Sequence, residues 1–447
     1  MPARLRAGPI PRKRDDMIVL LRSIRMTGQT IACQLELPAA VGARDLRHQV
    51  LARLRDLGSK VDVEGRAPLI AEACHLQGWR RMSTAPTPAK PPFCPNPQCP
   101  FHRGPTTSWH WVRDGHFTRQ QAPLRIQRFR CCHCRRHFSE QTFRVTYWLR
   151  RPDLLVPTFH RLVGGSAFRQ VAREFACSPQ TIAHLSARLG RHCLLAHERM
   201  RPKGPVTEPL VLDTFVSFEY SQYHPTGYHL LAGKHSHFLH GFTDSELRRS
   251  GSMTPRQKRK RATLEQQHGR PDPRSTEKEV ACLLEIVTCG SSAVELHSDE
   301  HPDYPRAFRR LPTLAVAHRT ISSRAARNAQ NPLFPINLLD LLIRHSIANH
   351  RRETIAFCKR RQGAIERLAI FLVWRNAVKS FSERKRDASP AMRLGLMERR
   401  LSLGELLSER LFPSRVTLPQ RWARYYWRQV VTRMIPNGTQ HRRVYAT

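Results

Sequence analysis

The chain has 447 residues, with 75 Lys and Arg against 35 Asp and Glu and a formal net charge of +40. That length suits about two to four domains, and a phosphate backbone explains the charge where a neutral partner surface does not. Twelve cysteines are too sparse for a disulfide scaffold, no apolar run reaches the ~18 residues of a membrane span, and Met17-Ile-Val-Leu-Leu21 is too short and too charge-flanked for a leader.

Residues 1–92 read as a basic N-terminal arm and linker. Ala43-Arg-Asp-Leu-Arg-His-Gln-Val-Leu-Ala-Arg-Leu-Arg55 has apolar positions three and four apart, and Pro86-Thr-Pro-Ala-Lys-Pro-Pro92 marks a boundary. Residues 93–140 carry two cysteine knuckles, Cys94-Pro-Asn-Pro-Gln-Cys99 and Cys131-Cys-His-Cys134, separated by strand-like sequence rich in aromatics. Paired short spacings of this kind predict a zinc ribbon in which Cys94, Cys99, Cys131 and Cys134 give Zn²⁺ a tetrahedral set of thiolates. Cys132, His102 and His133 are alternative ligands, and reduced buried cysteines are the bland reading.

Residues 155–200 read as a helix-turn-helix. Phe168, Val171, Ala172 and Phe175 share one helical face, Ser178 is a helix N-cap and Pro179 suits a first helical position. The next helix, 180–190, buries Ile182, Leu185 and Leu189 and leaves Gln180, Thr181, His184 and Arg188 for a major groove.

Residues 205–380 read as an α/β domain with strands at 209–219, 227–232, 237–242, 293–299 and 313–318. Asp213 stands where the first strand is expected to end, and Asp299 closes Ala293-Val-Glu-Leu-His-Ser-Asp299. The turn-and-helix signal His301-Pro-Asp-Tyr-Pro305 follows, with Glu300 and Asp303 as acids at a helix N-terminus. Asp340 lies on the helical stretch 336–344, four residues before Arg344, which is placed to pair with it or to contact phosphate. Carboxylates at the ends of adjacent strands plus one from a nearby helix make an oxygen-lined cup suited to Mg²⁺. A basic insertion at 244–280 carries Arg256, Lys258, Arg259, Lys260 and Arg261, either a phosphate-tracking surface or a solvated helix face. Arg351 and Arg352 read as phosphate contacts. Residues 381–447 form a basic C-terminal extension, where Tyr425-Tyr-Trp427 reads as packing rather than base stacking.

His297-Ser-Asp-Glu-His-Pro-Asp-Tyr-Pro305, Asn331-Pro-Leu-Phe334, Arg344, Arg351-Arg-Glu-Thr-Ile-Ala-Phe-Cys-Lys359, Glu366-Arg-Leu368 and Trp374-Arg-Asn376, behind a zinc ribbon and a helix-turn-helix, resemble bacterial insertion-sequence transposases of the DDE type over roughly residues 93–380. The resemblance implies a multidomain α/β protein with an RNase H-like catalytic core. It further implies Mg²⁺ or Mn²⁺ beside structural Zn²⁺, and cleavage and strand transfer of double-stranded DNA at element ends. A homo-oligomer on DNA and a bacterial cytoplasm, at the nucleoid, belong to the same expectation, with no membrane partner. Carried over by position, Asp213 matches the first acid and Asp299 the second. Asn337 stands where a third acid is usual; Asp340, one turn on, is preferred to Glu353 because it lies nearer the helix start. The alternative is a non-catalytic zinc-ribbon and helix-turn-helix regulator, including a transposase whose catalysis has decayed.

Overall fold

The computed structural model describes residues 90–120, 124–351 and 353–435. The helix expected at 43–55, most of the proline-rich linker and Arg352 lie outside them. The chain divides into two compact units, 1–81 and 82–447, and every described residue belongs to the second.

The described part opens with a three-stranded antiparallel sheet of β1 (Trp111–Thr118), β2 (Arg125–Cys131) and β3 (His137–Ser139). Its core is aromatic: Phe93, Trp109, Phe129, Phe138 and Phe143 pack together with Phe412 from far along the chain. Three helices follow, α1 (Leu155–Val163), α2 (Phe168–Glu174) and α3 (Pro179–Met200). The expected cap is present: Ser178 Oγ accepts the Thr181 N–H at 3.1 Å, with Pro179 in the first turn. Val171, Ala172, Ile182, Leu185 and Leu189 are buried as their spacing requires.

The second helix does not end near residue 190. It runs to Met200, because Cys193, Leu194, Leu195 and His197 continue a buried face. Gly190 explains how that half docks: a Cβ there would stand 2.6 Å from the Glu366 carbonyl oxygen and 2.7 Å from the Glu366 Cβ. Only glycine lets the two helix backbones touch at this crossing.

A five-stranded mixed sheet holds the rest: β4 (Leu210–Phe218), β5 (Pro225–Gly233), β6 (Leu239–Glu246), β7 (Ala293–Ser298) and β8 (Ala315–Thr320), in spatial order β6-β5-β4-β7-β8. The first three strands are antiparallel neighbours, while β7 and β8 run parallel to β4. Between β6 and β7 come α4 (Pro255–His268), which has no buried residue, and α5 (Ser275–Val287), which buries Val280, Leu283, Leu284 and Val287. The basic insertion is thus narrower than 244–280: its start belongs to β6 and its end to a core helix. Next are α6 (Asp303–Phe308), α7 (Phe334–Ser346) and α8 (Arg361–Val373).

Side chains alternate along β4. Leu210 and Leu212 join the core beneath α5 and α6, whereas Val211 and Phe215 join the core beneath α3, α7 and α8. Asp213 shares the parity of the second set, so it faces the α7 side.

The C-terminal stretch, with α9 (Pro390–Arg393), α10 (Leu403–Leu406) and α11 (Gln420–Tyr426), is not a free extension. Trp422 fills the space a Cβ at Gly241 would take, and its indole N–H donates to the Phe242 carbonyl at 3.0 Å. Tyr425 and Tyr426 are buried, in keeping with packing rather than stacking on bases. No described helix is long and apolar enough to cross a membrane.

Candidate metal centre and candidate active site

The four predicted cysteines converge. Cys94 and Cys134 sulfurs lie 3.6 Å apart and Cys99 and Cys131 sulfurs 4.0 Å apart, and all four fall within 4.8 Å of one another. A tetrahedron with Zn–S bonds of ~2.3 Å has edges of ~3.8 Å, so the spacing fits a thiolate-bound zinc. The alternative ligands are otherwise engaged. His102 bonds the Cys94 carbonyl (2.8 Å) and Ser414 Oγ (2.7 Å), His133 packs edge-on to Phe101, and Cys132 is exposed. Burial raises the Cys94 thiol far above its ordinary value. At Cys131 burial acts the same way but is outweighed by N–H groups of Cys134, Trp109 and His133, and the thiol comes down to about 7; the Trp109 indole sits 3.3 Å from its sulfur. The donors are arranged to stabilise thiolate, which is the form a metal takes.

The acids are positioned by the sheet. Leu210 and Val211 pair with Leu296 and His297 on parallel β7. Two residues further along, the same register sets Asp213 beside Asp299, one residue past the end of β7. Asp213 is not at the end of its own strand, which continues to Phe218; its neighbour's end opens the sheet there. Its Oδ1 accepts the Thr214 N–H at 2.6 Å, and Asp299 Oδ1 accepts the His301 N–H at 3.1 Å. Asp340 approaches from α7 on the same face.

Burial pushes the Asp213 carboxyl up to about 6, against the Thr214 N–H; the charges of Asp299 and Asp340 add to the rise, and Arg327 opposes it. Glu353 sits exposed in a turn at φ +51°. The three carboxylates therefore share one field. They are less tightly gathered than the cysteines, which form the one cluster within 4.8 Å among the described residues. Asp340 is also held: Arg344 Nε donates to both its oxygens at 3.1 Å, while the same guanidinium reaches the His350 and Val216 carbonyls at 3.3 and 3.4 Å.

Beneath the acids runs a polar relay that the sequence reading did not include. Tyr304 donates to Thr214 Oγ1 (3.1 Å), Thr214 Oγ1 bonds His229 Nδ1 (2.7 Å), and His229 Nε2 bonds Ser245 Oγ (3.0 Å). Burial lowers the His229 imidazole to about 3, so it stays neutral and fixes the Thr214 hydroxyl on the sheet face opposite Asp213. Tyr304 lies in the quoted His-Pro-Asp-Tyr run, a signal within reach; Arg327, in an aperiodic loop, offered none. Glu300 is not a helix-end acid here, since it accepts the Ser323 N–H at 3.3 Å.

The expected DNA contacts divide into two groups. Gln180 and His184 are exposed and bonded to each other at 2.8 Å, Thr181 is half-buried, and Arg256, Lys258, Arg259 and Lys260 are exposed on α4. Others are turned inward. Arg188 donates to the Val145 carbonyl at 2.9 Å, and burial brings its guanidinium down to about 10. Arg344 clamps α7 to β4 and Arg261 donates to the Arg249 carbonyl at 2.9 Å, whereas Arg351 donates to the His345 carbonyl at 3.2 Å and stays exposed. Arg188 is thus turned from the groove into the fold, and Arg344 takes the pairing with Asp340 that its spacing allowed.

No family model matches the chain, and no curated protein matches it. Nine chains of solved structures do. One belongs to the simian T-cell lymphotropic virus intasome in complex with PP2A regulatory subunit B56 gamma, 12% identical over 55% of this chain and 74% of that one, at a TM-score of 0.23. That link is remote and carries no argument. On its own geometry the chain is a mixed α/β multidomain protein with a four-cysteine cluster resembling a zinc-ribbon-like module.

Proposed function

We propose that the protein is a metal-dependent DNA transposase, cutting and rejoining the ends of a mobile element, with an RNase H-like sheet bearing Asp213, Asp299 and Asp340. The observation that carries this is the register setting Asp213 beside Asp299 on a face where burial, with the charges of Asp299 and Asp340, raises the Asp213 carboxyl. Like charges held together in a half-buried site are a poor arrangement for stability and a good one for a cation. The oxygen donors suit Mg²⁺ or Mn²⁺, and each Asp340 oxygen bonded to Arg344 keeps a lone pair for a ligand. When bound, such a metal activates the attacking hydroxyl and stabilises the leaving oxygen. The chain's own part is to hold the acids in register, to brace β4 against β5 and α6 from the opposite face through Tyr304, Thr214 and neutral His229, and to keep Asp340 on its turn through Arg344. The α2–α3 pair acts as a helix-turn-helix reading element ends through Gln180, Thr181 and His184, α4 tracks phosphate, and the protein works as an oligomer on DNA in a bacterial cytoplasm.

The test is strand transfer with pre-cleaved DNA from the flanks of the protein's own gene, in Mg²⁺, comparing wild type with Asp299→Asn. Transfer by wild type and a loss of several powers of ten in the variant is expected; transfer by both would end the reading. The Arg344 fork on Asp340 favours the second reading, a non-catalytic DNA-binding regulator, whose signature is end-specific binding with no transfer.

A further inference from the structure

We propose that a cavity on the cysteine module takes one unstacked base of DNA. The cavity, about 480 Å³, lies between the β1–β3 sheet and the segment that leaves it, with Phe117, Arg119, Arg128, Gln141, Tyr147 and Trp148 in its lining. This volume lies within the ~300–1,000 Å³ usual for small-ligand sites. Three independent features point to a planar, polar-edged guest. Gln141 is only 5% exposed, yet both its amide nitrogen and its amide oxygen are buried without a hydrogen-bond partner. A buried amide with donor and acceptor both unused is costly and rare, and its broad terminal torsion lets it turn toward a guest without backbone movement.

Trp148 is 63% exposed at φ +63°, a left-handed conformation that bulky residues seldom adopt and that clusters at ligand sites. Phe117 is likewise 41% exposed. Finally, the rim is basic: Arg128 and His137 share the single carboxylate of Asp114 at 3.0 and 2.6 Å, and Arg119 adds a further cation.

Stacking on an aromatic face, a donor-plus-acceptor amide at the edge and cations for the phosphate together match a nucleotide. A glutamine amide pairs bidentately with adenine in particular. A base inside a duplex cannot enter, so the guest is unpaired or flipped out. The inference rests on the reading of the protein as DNA-handling but on none of its catalytic acids.

The experiment uses the full, zinc-loaded chain in buffer without Mg²⁺ or Mn²⁺. It compares a fully paired duplex with duplexes carrying one unpaired adenine, thymine or 2-aminopurine. Expected are roughly tenfold tighter binding of the unpaired-adenine duplex and quenching of 2-aminopurine on binding. Trp148→Ala should abolish both while leaving affinity for the paired duplex unchanged. Gln141→Leu, which removes an unsatisfied amide and so keeps or raises the melting temperature, should retain quenching and erase the preference for adenine over thymine. Equal affinity of wild type for paired and unpaired duplexes overturns the pocket while leaving DNA binding in place. Unaltered behaviour in both variants overturns it as well. Failure to bind any of the duplexes overturns the pocket and the DNA reading together.

Discussion

Asp213 is where chemistry and stability pull against each other. Its carboxyl titrates near 6 in the folded chain against an ordinary value near 3.8. Between those values the folded state holds a proton that the unfolded state has lost, so metal-free stability falls as pH rises from about 4 to about 6 and stays lower above. At ~1.4 kcal/mol per unit the cost is of order 3 kcal/mol. Asp213→Asn should therefore raise the melting temperature of zinc-loaded, Mg²⁺-free protein at pH 7 and have little effect near pH 4, as thermal scans at the two pH values would record. Millimolar Mg²⁺ should stabilise wild type at pH 7 and not the variant; equal stabilisation of both would place the cation elsewhere. Asp340→Asn should blunt the Mg²⁺ response and Glu353→Gln should not, because the charge of Asp340 acts on Asp213 while Glu353 sits exposed in a turn.

Among the elements, α3 and α4 separate roles that charge alone confuses. Arg188 has its donor on a backbone carbonyl inside the fold, whereas Gln180 lies exposed one turn into the same helix. Arg188→Ala should lower thermal stability, and Gln180→Ala should leave it unchanged while weakening end-specific binding, by about 1–3 kcal/mol if it reads a base. On α4, replacing Arg256, Lys258, Arg259 and Lys260 with Gln should leave the melting temperature in place, since the helix buries nothing. It should weaken binding to every DNA sequence and flatten the salt dependence, by a slope of ~0.9 per lost phosphate contact. An unchanged slope would make α4 a solvated face and nothing more.

What was legible follows the same division. The cysteine knuckles, the Ser178–Pro179 helix start and the five strands were readable because spacing, capping and alternation act over a few residues. The direction of Arg188, the helix crossing at Gly190 and the Thr214–His229 relay were not. Each depends on a partner more than a dozen residues away, which local pattern does not encode.

At the scale of the whole second unit, the last stretch of chain ties the pieces together. Phe412 enters the aromatic core of the cysteine module, Ser414 bonds His102, and Arg410 donates to the Thr142 carbonyl at 2.9 Å. Before it, the Leu406 carbonyl accepts from His192 of α3 at 2.8 Å. After it, Arg421 and Tyr425 close on Asp244, which is fully buried and also paired with Arg361 of α8. Removing Arg421 would leave part of that charge uncompensated, and breaking a buried pair costs about 3–5 kcal/mol. Metal binding in such a module is folding energy, and here the module shares residues with the strap that holds the sheet. Zinc loss should then be felt beyond the cysteines. Stripping zinc with a chelator, or Cys131→Ser, should lower the melting transition of the entire 82–447 unit as one step. Phe412→Ala should do the same without touching the metal content. Calorimetry with zinc quantified in parallel distinguishes this from independent domains: a separate low-temperature transition for the module, with the main transition unmoved, would show that the strap does not couple them.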